Sequence, residues 1–363
     1  MFKDVLKIIL IVAGLGAVTF GIRYLVAERN VPAVVIEDED TTQTVSAETE
    51  SAIITKEVQG VDTSVYDTYV TQTEHQSFYR LDDNFYIELN ELLKSYPQLE
   101  TNSISLEYED IESGYTFEVN PENHYNIASV VKAPYCMYVY KCALDGKVDI
   151  NQKITYEEKY CMEGTGVIKD MEFGEEFTVE ELIGYAIEES DNSAYVMLRT
   201  IVPEEDFVEY SKTLGLIHEE DYRLYDRQIC CSSARIYLEA IYDFIEEDNI
   251  YSDNLKEHML STKNAMIRSQ FPVVRKYGWY KNNFHDTALI YAPKPYILAI
   301  LSGFEKVDDD TYQLFRDISD LVEKYSQDLI ETDESINEVT IITTRETEED
   351  ERTEGTNDAD ELY

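Results

Sequence analysis

Ser129-Val130-Val131-Lys132 stands where the chain changes its rhythm. On its N-terminal side apolar residues alternate: Ile104, Leu106 and Tyr108, then Tyr115, Phe117 and Val119, with Glu112-Ser113-Gly114 as a hairpin turn between them. On its C-terminal side the pattern becomes helical through residue 144. Thr178-Val179-Glu180-Glu181 is a capping box that opens a helix running to about Glu189. A third helical segment follows Asn192, and a fourth covers Ser233 to Glu246. Strand-like runs return at Phe284 to Tyr291 and Tyr296 to Phe304. Two further helices flank the whole: Phe85, Leu89, Leu92, Leu93 and Tyr96 before Pro97, and Leu314, Phe315, Ile318, Leu321, Val322 and Tyr325 near the end. The layout predicts an antiparallel sheet flanked by helices, with an all-helical lobe inserted in its middle, an α/β (α+β) sandwich. A cleft between sheet and lobe is the natural place for a site.

Composition sets the surroundings. The chain has 363 residues, 30 basic and 74 acidic side chains, and a formal charge of -44. Such a surface repels phosphate backbones and argues against nucleic acid as a partner. Part of the charge sits at the C-terminal end, where residues 331–363 hold 13 acidic and two basic side chains and little apolar periodicity. Residues 329–363 are therefore expected to be a disordered acidic tail. At the other end, Lys3 and Lys7 precede an apolar run from Ile8 to Ile22. Residues 1–29 read as a membrane anchor, with a cleaved signal as the competing reading, so the body is expected outside the cytoplasm. Residues 30–77 read as an acidic linker, and 78–328 as the folded domain. Five cysteines show no metal spacing, and the histidines His75, His124, His218 and His258 form no zinc pattern. No cofactor is expected. His285-Asp286 is set aside as a dyad, because neighbours on a strand point to opposite faces.

Three motifs carry the chemistry. In the first, Lys132 lies one helical turn after Ser129 on the same face, so a buried amine can take the serine proton. A Ser-x-x-Lys tetrapeptide arises roughly once by chance in a chain this long, and alone it also fits an N-capping serine with a surface lysine. The second, Ser190-Asp191-Asn192, lies where a capped helix ends. Ser190 is placed to relay a proton to a leaving nitrogen, and Asn192 to hold a substrate carbonyl. The third, Lys276-Tyr277-Gly278-Trp279, precedes the first late strand-like run and reads as an edge strand. Lys276 would supply positive charge there, and Gly278 would let substrate approach the main chain. The backbone N–H groups of Ser129 and Trp279 would form an oxyanion hole.

In this order, Ser-x-x-Lys, Ser-Asp-Asn and Lys-x-Gly resemble the motif set of class A β-lactamases and related penicillin-recognising serine hydrolases. The resemblance covers roughly residues 78–328 and extends to Gly164-Thr165-Gly166, Ser232-Ser233 and Phe284-His285-Asp286-Thr287-Ala288. It implies the β-lactamase/transpeptidase-like fold and acylation of Ser129 by a β-lactam or a peptidoglycan-derived peptide, then hydrolysis. It also implies Ser129, Lys132 and Ser190 as catalytic, with Asn192, Lys276, Tyr277 and Gly278 binding substrate. Two departures stand out. Tyr277 occupies the place of a Thr or Ser whose hydroxyl helps bind the substrate carboxylate. No Glu-x-x-Asn pattern lies between Asn192 and Ser233, where Glu219, Glu220 and Asp221 read as a charged turn. A D-alanyl-D-alanine peptidase-like enzyme and a non-catalytic penicillin-binding or scaffold module are the alternatives to β-lactam hydrolysis.

Overall fold

A computed structural model describes residues 77–100, 102–216, 227–264 and 266–336. The apolar run at Ile8 to Ile22, the linker, Glu219, Glu220, Asp221 and the tail beyond residue 336 lie outside the described residues. Among the described residues, no helix is long and apolar enough to cross a membrane.

The alternating segments form strands β2 (Ser103–Asp110) and β3 (Tyr115–Val119), and the late runs form β9 (Asn283–Ile290) and β10 (Tyr296–Gly303). With β8 (Val273–Tyr280) they make one antiparallel sheet in the order β3-β2-β10-β9-β8, so the Lys276 strand is an edge. Between its two halves in sequence runs the helical block that the change of rhythm predicts. It contains α2 (Lys132–Leu144), α3 (Val179–Glu188), α4 (Asn192–Leu198), α5 (Glu204–Thr213), α6 (Cys231–Glu246) and α7 (Ser252–Leu260).

Period-two alternation splits the sheet's side chains between two cores. On one face Leu298, Ile300, Phe284 and Ile290 pack with α1 (Asp83–Lys94) and α8 (Asp309–Ser326) through Phe85, Leu89, Leu93, Leu314, Phe315, Ile318 and Val322. Each such fully buried side chain stabilises the layer by about 1.5–3 kcal/mol relative to exposure. On the other face Ile297, Ala299 and Leu301 meet Ala234, Leu238 and Ile241 of α6. Helix α2 is buried nearly all round (Ala133, Tyr135, Cys136, Met137, Val139, Tyr140), which makes it the axis of the lobe rather than a surface helix. Helix α1 ends at Lys94, so Tyr96 falls just past it and Pro97 opens a short 3-10 turn.

The ordered body extends past the expected 78–328 at both ends. Strand β1 (Ser77–Arg80) pairs antiparallel with β11 (Ile330–Ile336), so order continues beyond residue 329 and the tail's near end is a strand. All five cysteines are free thiols, and Cys136, Cys142, Cys230 and Cys231 are buried.

Candidate active site

The three motifs meet where the lobe joins the edge strand. Ser129 lies in a 3-10 turn, Ala128–Val131, which runs directly into α2. The residue before it, Ala128, holds φ 48°, a left-handed conformation unusual for a side chain with a Cβ. A short pairing of Tyr125–Asn126 (β4) with Gln228–Ile229 (β7) and the bond from Ile127 N to Arg227 O (3.1 Å) fix the entry to this turn. Strained backbone is retained where its surroundings over-determine it.

Lys132 is only 2% exposed. Its Nζ donates to the Ser190 carbonyl at 2.6 Å and to Asn192 Oδ1 at 2.7 Å. Burial brings its pKa down to about 7, against the partial support of the Asp191 charge. A neutral amine has two N–H bonds and one lone pair. With both N–H groups used on Ser190 and Asn192, the lone pair is what remains for a proton. Among the described residues the Ser129 hydroxyl makes no hydrogen bond, so it is available to a partner.

Ser190 sits in the turn between α3 and α4 with φ 54°. Its neighbour Asp191 explains how that turn is held. One carboxylate oxygen caps α4 by accepting from Ala194 N (2.9 Å), and the other accepts from Val167 N (2.6 Å) and Ile168 N (2.8 Å). Thr165 Oγ1 donates to the Ser190 carbonyl (2.8 Å), and Asn192 N donates to Thr165 O (3.1 Å). A Cβ on Gly166 would stand 2.3 Å from the Asp191 carboxyl carbon, at φ 119°, so only glycine lets this loop close over the turn. Asn192 Nδ2 donates to Glu163 O at 2.9 Å, leaving its second N–H for another acceptor.

Strand β8 brings the third motif alongside. Lys276 and Gly278 share the lobe-facing side of the strand with Val274, while Tyr277 points to the other side. Lys276 is fully buried, and its Nζ donates to Ser190 Oγ (3.0 Å) and to Tyr277 O (3.1 Å). Burial first, then repulsion from Lys132, holds its pKa well below the usual lysine range. Lys276 is thus a buried partner of Ser190. Tyr277 is 5% exposed, its ring centroid 4.5 Å from that Nζ. Gly278 passes so close to the Ser129 turn that a Cβ would lie 3.0 Å from both Ser129 N and Val130 N. The two-residue connection after Tyr280 pairs Tyr280 with Asn283, and the ladder's alternation then turns the Trp279 N–H away from β9, toward the open edge. Ser129 N thus lies beside Gly278, the residue before Trp279.

His285 and Asp286 do not form a dyad. His285 Nδ1 accepts from Ser302 N (3.1 Å), so Nε2 carries the proton and donates to Asn126 O (2.8 Å). Asp286 turns the other way and accepts from Met266 N and Ile267 N, both 2.8 Å. Among the described residues between Asn192 and Ser233 the buried carboxylate is Glu204, and it is ion-paired to Arg227 (2.9 Å) and to Arg199. A cavity of about 910 Å³ lies elsewhere, lined in part by Tyr138, Cys142, Val148, Ile201 and Tyr210, and it includes none of the motif residues.

Fold and site together define a β-lactamase/transpeptidase-like protein. Residues 84–326 match the model of the beta-lactamase enzyme family, and the chain belongs to that family of hydrolases. A comparison with curated proteins finds no match. Among solved structures, a mutant of PBP-A held as an acyl-enzyme with penicillin G is similar at a TM-score of 0.58 and 17% identity, over 66% of this chain and 95% of that one. A β-lactamase from Sphaerobacter thermophilus gives 0.57 and 16%, over 65% and 96%. One from Chitinophaga pinensis gives 0.58 and 18%, over 67% and 99%. At these identities the likeness establishes the fold.

Proposed function

We propose that this chain is a serine hydrolase that cleaves an amide, a β-lactam in the first instance, through an acyl-enzyme on Ser129. The observation that carries the reading is Lys132: a buried amine with a pKa of about 7, both of whose N–H groups are engaged by the Ser190–Asn192 turn. Its lone pair takes the Ser129 proton as Oγ attacks the carbonyl. The N–H groups of Ser129 and Trp279 stabilise the oxyanion. Ser190, whose oxygen accepts from Lys276, passes its proton to the leaving nitrogen, and Lys132 returns one to Ser190. Asn192 Nδ2 holds the acyl amide carbonyl. Water then releases the acid and frees Ser129.

The lack of a Glu-x-x-Asn pattern between Asn192 and Ser233 favours a second reading for the last step. An enzyme that is acylated and then deacylates slowly, as a D-alanyl-D-alanine peptidase-like protein does with β-lactams, fits the same site. The run Ile8 to Ile22 behind Lys3 and Lys7 supports a membrane-tethered enzyme with its domain outside the cytoplasm.

Hydrolysis of a chromogenic cephalosporin, followed with wild type and Ser129→Ala, tests the proposal. Turnover lost in the variant supports β-lactam hydrolysis, and a lasting adduct without turnover supports the second reading. Equal behaviour of the two proteins refutes both.

A further inference from the structure

His285 lies on β9 directly opposite Gly278, the β8 residue that presses on the Ser129 turn. It is fully buried, and both of its ring nitrogens are engaged. The Ser302 N–H needs an acceptor, which puts the lone pair on Nδ1 and the proton on Nε2. Burial pushes the ring's pKa down to about 4, so this neutral tautomer persists at neutral pH. Tyr125 packs edge-on against the imidazole, with centroids 5.8 Å apart, and its own hydroxyl is tied to Ser105 Oγ at 2.9 Å. The ring therefore has one orientation and one N–H to give.

That N–H is spent on the chain entering the nucleophile's turn. Nε2 donates to the Asn126 carbonyl at 2.8 Å. Asn283, the first residue of the same strand, accepts from Asn126 N through Oδ1 at 3.2 Å. Residues of β9 thus hold both main-chain groups of Asn126. The Asn126 side chain reaches forward in an Asx turn, its Oδ1 accepting from Ala128 N at 3.1 Å. Ala128 is the residue at φ 48°, and Ser129 follows it. From β8, Gly278 comes so close that a Cβ there would stand 3.1 Å from Ala128 Cβ. Two residues paired across the ladder, His285 and Gly278, therefore fix the turn, one by a hydrogen bond and one by contact.

We propose that His285 is a positioning residue: its Nε2–H holds Asn126, and Asn126 holds the left-handed turn that presents Ser129. The proposal rests on the reading of Ser129 as nucleophile and adds a residue that acts on it through another.

Two variants of opposite effect separate positioning from packing. Counted from Cγ, the glutamine amide nitrogen stands as far out as Nε2, and the asparagine amide oxygen as far out as Nδ1. His285→Gln keeps the donor to Asn126 and gives up the acceptor for Ser302, whereas His285→Asn does the reverse. Each loses one buried hydrogen bond, so both lose stability. Acylation of the full chain by a penicillin is followed by intact mass over a range of concentrations, with Ser129→Ala as background. His285→Asn is expected to lower the limiting acylation rate by about ten- to a hundredfold and leave the half-saturating concentration little changed, because a misplaced nucleophile reacts slowly. His285→Gln is expected to keep most of the wild-type rate. An asparagine variant acylated as fast as the glutamine variant overturns the proposal. If either fails to fold, Asn126→Ala replaces the pair: a lowered limiting rate supports the proposal, and the wild-type rate overturns it. Wild type left unlabelled at Ser129 refutes the Ser129 reading and this proposal with it, whereas labelled wild type with equally fast variants overturns this proposal alone.

Discussion

Gly278 leaves no room for a side chain beside Ser129: a Cβ at that position would stand 3.0 Å from the Ser129 nitrogen. Contact this close sets the Ser129 turn against the strand residue that precedes Trp279. Gly278→Ala should push β8 off the turn while leaving the sheet's hydrogen bonds to β9 in place. Acylation is expected to fall by about a hundredfold or more, as when one oxyanion donor is removed. Stopped-flow acylation rates, with circular dichroism to verify the fold, measure this.

The second prediction concerns pH. Burial lowers the Lys132 pKa to about 7, so the amine is charged below that pH and neutral above it. Acylation should therefore rise through pH 7 and level off on the alkaline side. Lys132→Met keeps an unbranched side chain one atom shorter, removes the base, and should lower the rate by about 10²–10⁴-fold and abolish the rise. A pH profile of kcat/KM for both proteins makes the comparison.

Asp191 supports the turn rather than the reaction. Its carboxylate accepts three backbone N–H groups, from Ala194, Val167 and Ile168. Asp191→Ala would leave a helix uncapped and two N–H groups without an acceptor. Denaturant unfolding should show a loss of about 2–4 kcal/mol. Gly166→Ala should act in the same direction, because its new Cβ would collide with that carboxyl group.

The site was legible in the sequence where chemistry is local. Ser129 and Lys132 share one turn, Ser190 follows a capped helix, and Lys276 lies just before a strand-like run, where an edge strand was expected. The rule that strand neighbours diverge also disposed of His285-Asp286 correctly. What could not be read depends on distance along the chain. Asp191 reaches back to Val167 and Ile168, and nothing around Asp191 announces those partners, although the two glycines at 164 and 166 mark a loop of special geometry. The burial of Lys276 follows from the lobe closing on an edge strand, which periodicity alone does not reveal. Strand β11 was hidden because Ile330–Ile336 is acidic and lacks apolar alternation, so its pairing with β1 is tertiary in origin.

A buried acidic cluster gives the fourth prediction. Glu107 and Glu118 face each other across β2 and β3, and Arg235 binds Glu107 and, at 2.8 Å, Glu109. One arginine cannot neutralise all of these carboxylates. Burial, opposed by Arg235, raises the Glu107 pKa from 4.5 to about 7, and burial likewise raises that of Glu118. With the folded-state value above the unfolded one, the folded chain holds an extra proton in that window. The associated stability is present below about pH 4.5 and is lost as pH rises through about 7. Thermal unfolding of wild type and Glu107→Gln at pH 5 and pH 8 isolates this contribution: the Tm of Glu107→Gln relative to wild type should be higher at pH 8 than at pH 5.

In the proposed reaction Ser129 is acylated with the help of Lys132. Peptide mapping by mass spectrometry, after brief exposure of the full chain to a penicillin at pH 8, tests it most directly. One acyl group is expected on the peptide carrying Ser129, sharply reduced in Lys132→Met and absent in Ser129→Ala. An adduct on any other residue, or the same labelling of Ser129 without Lys132, would contradict it.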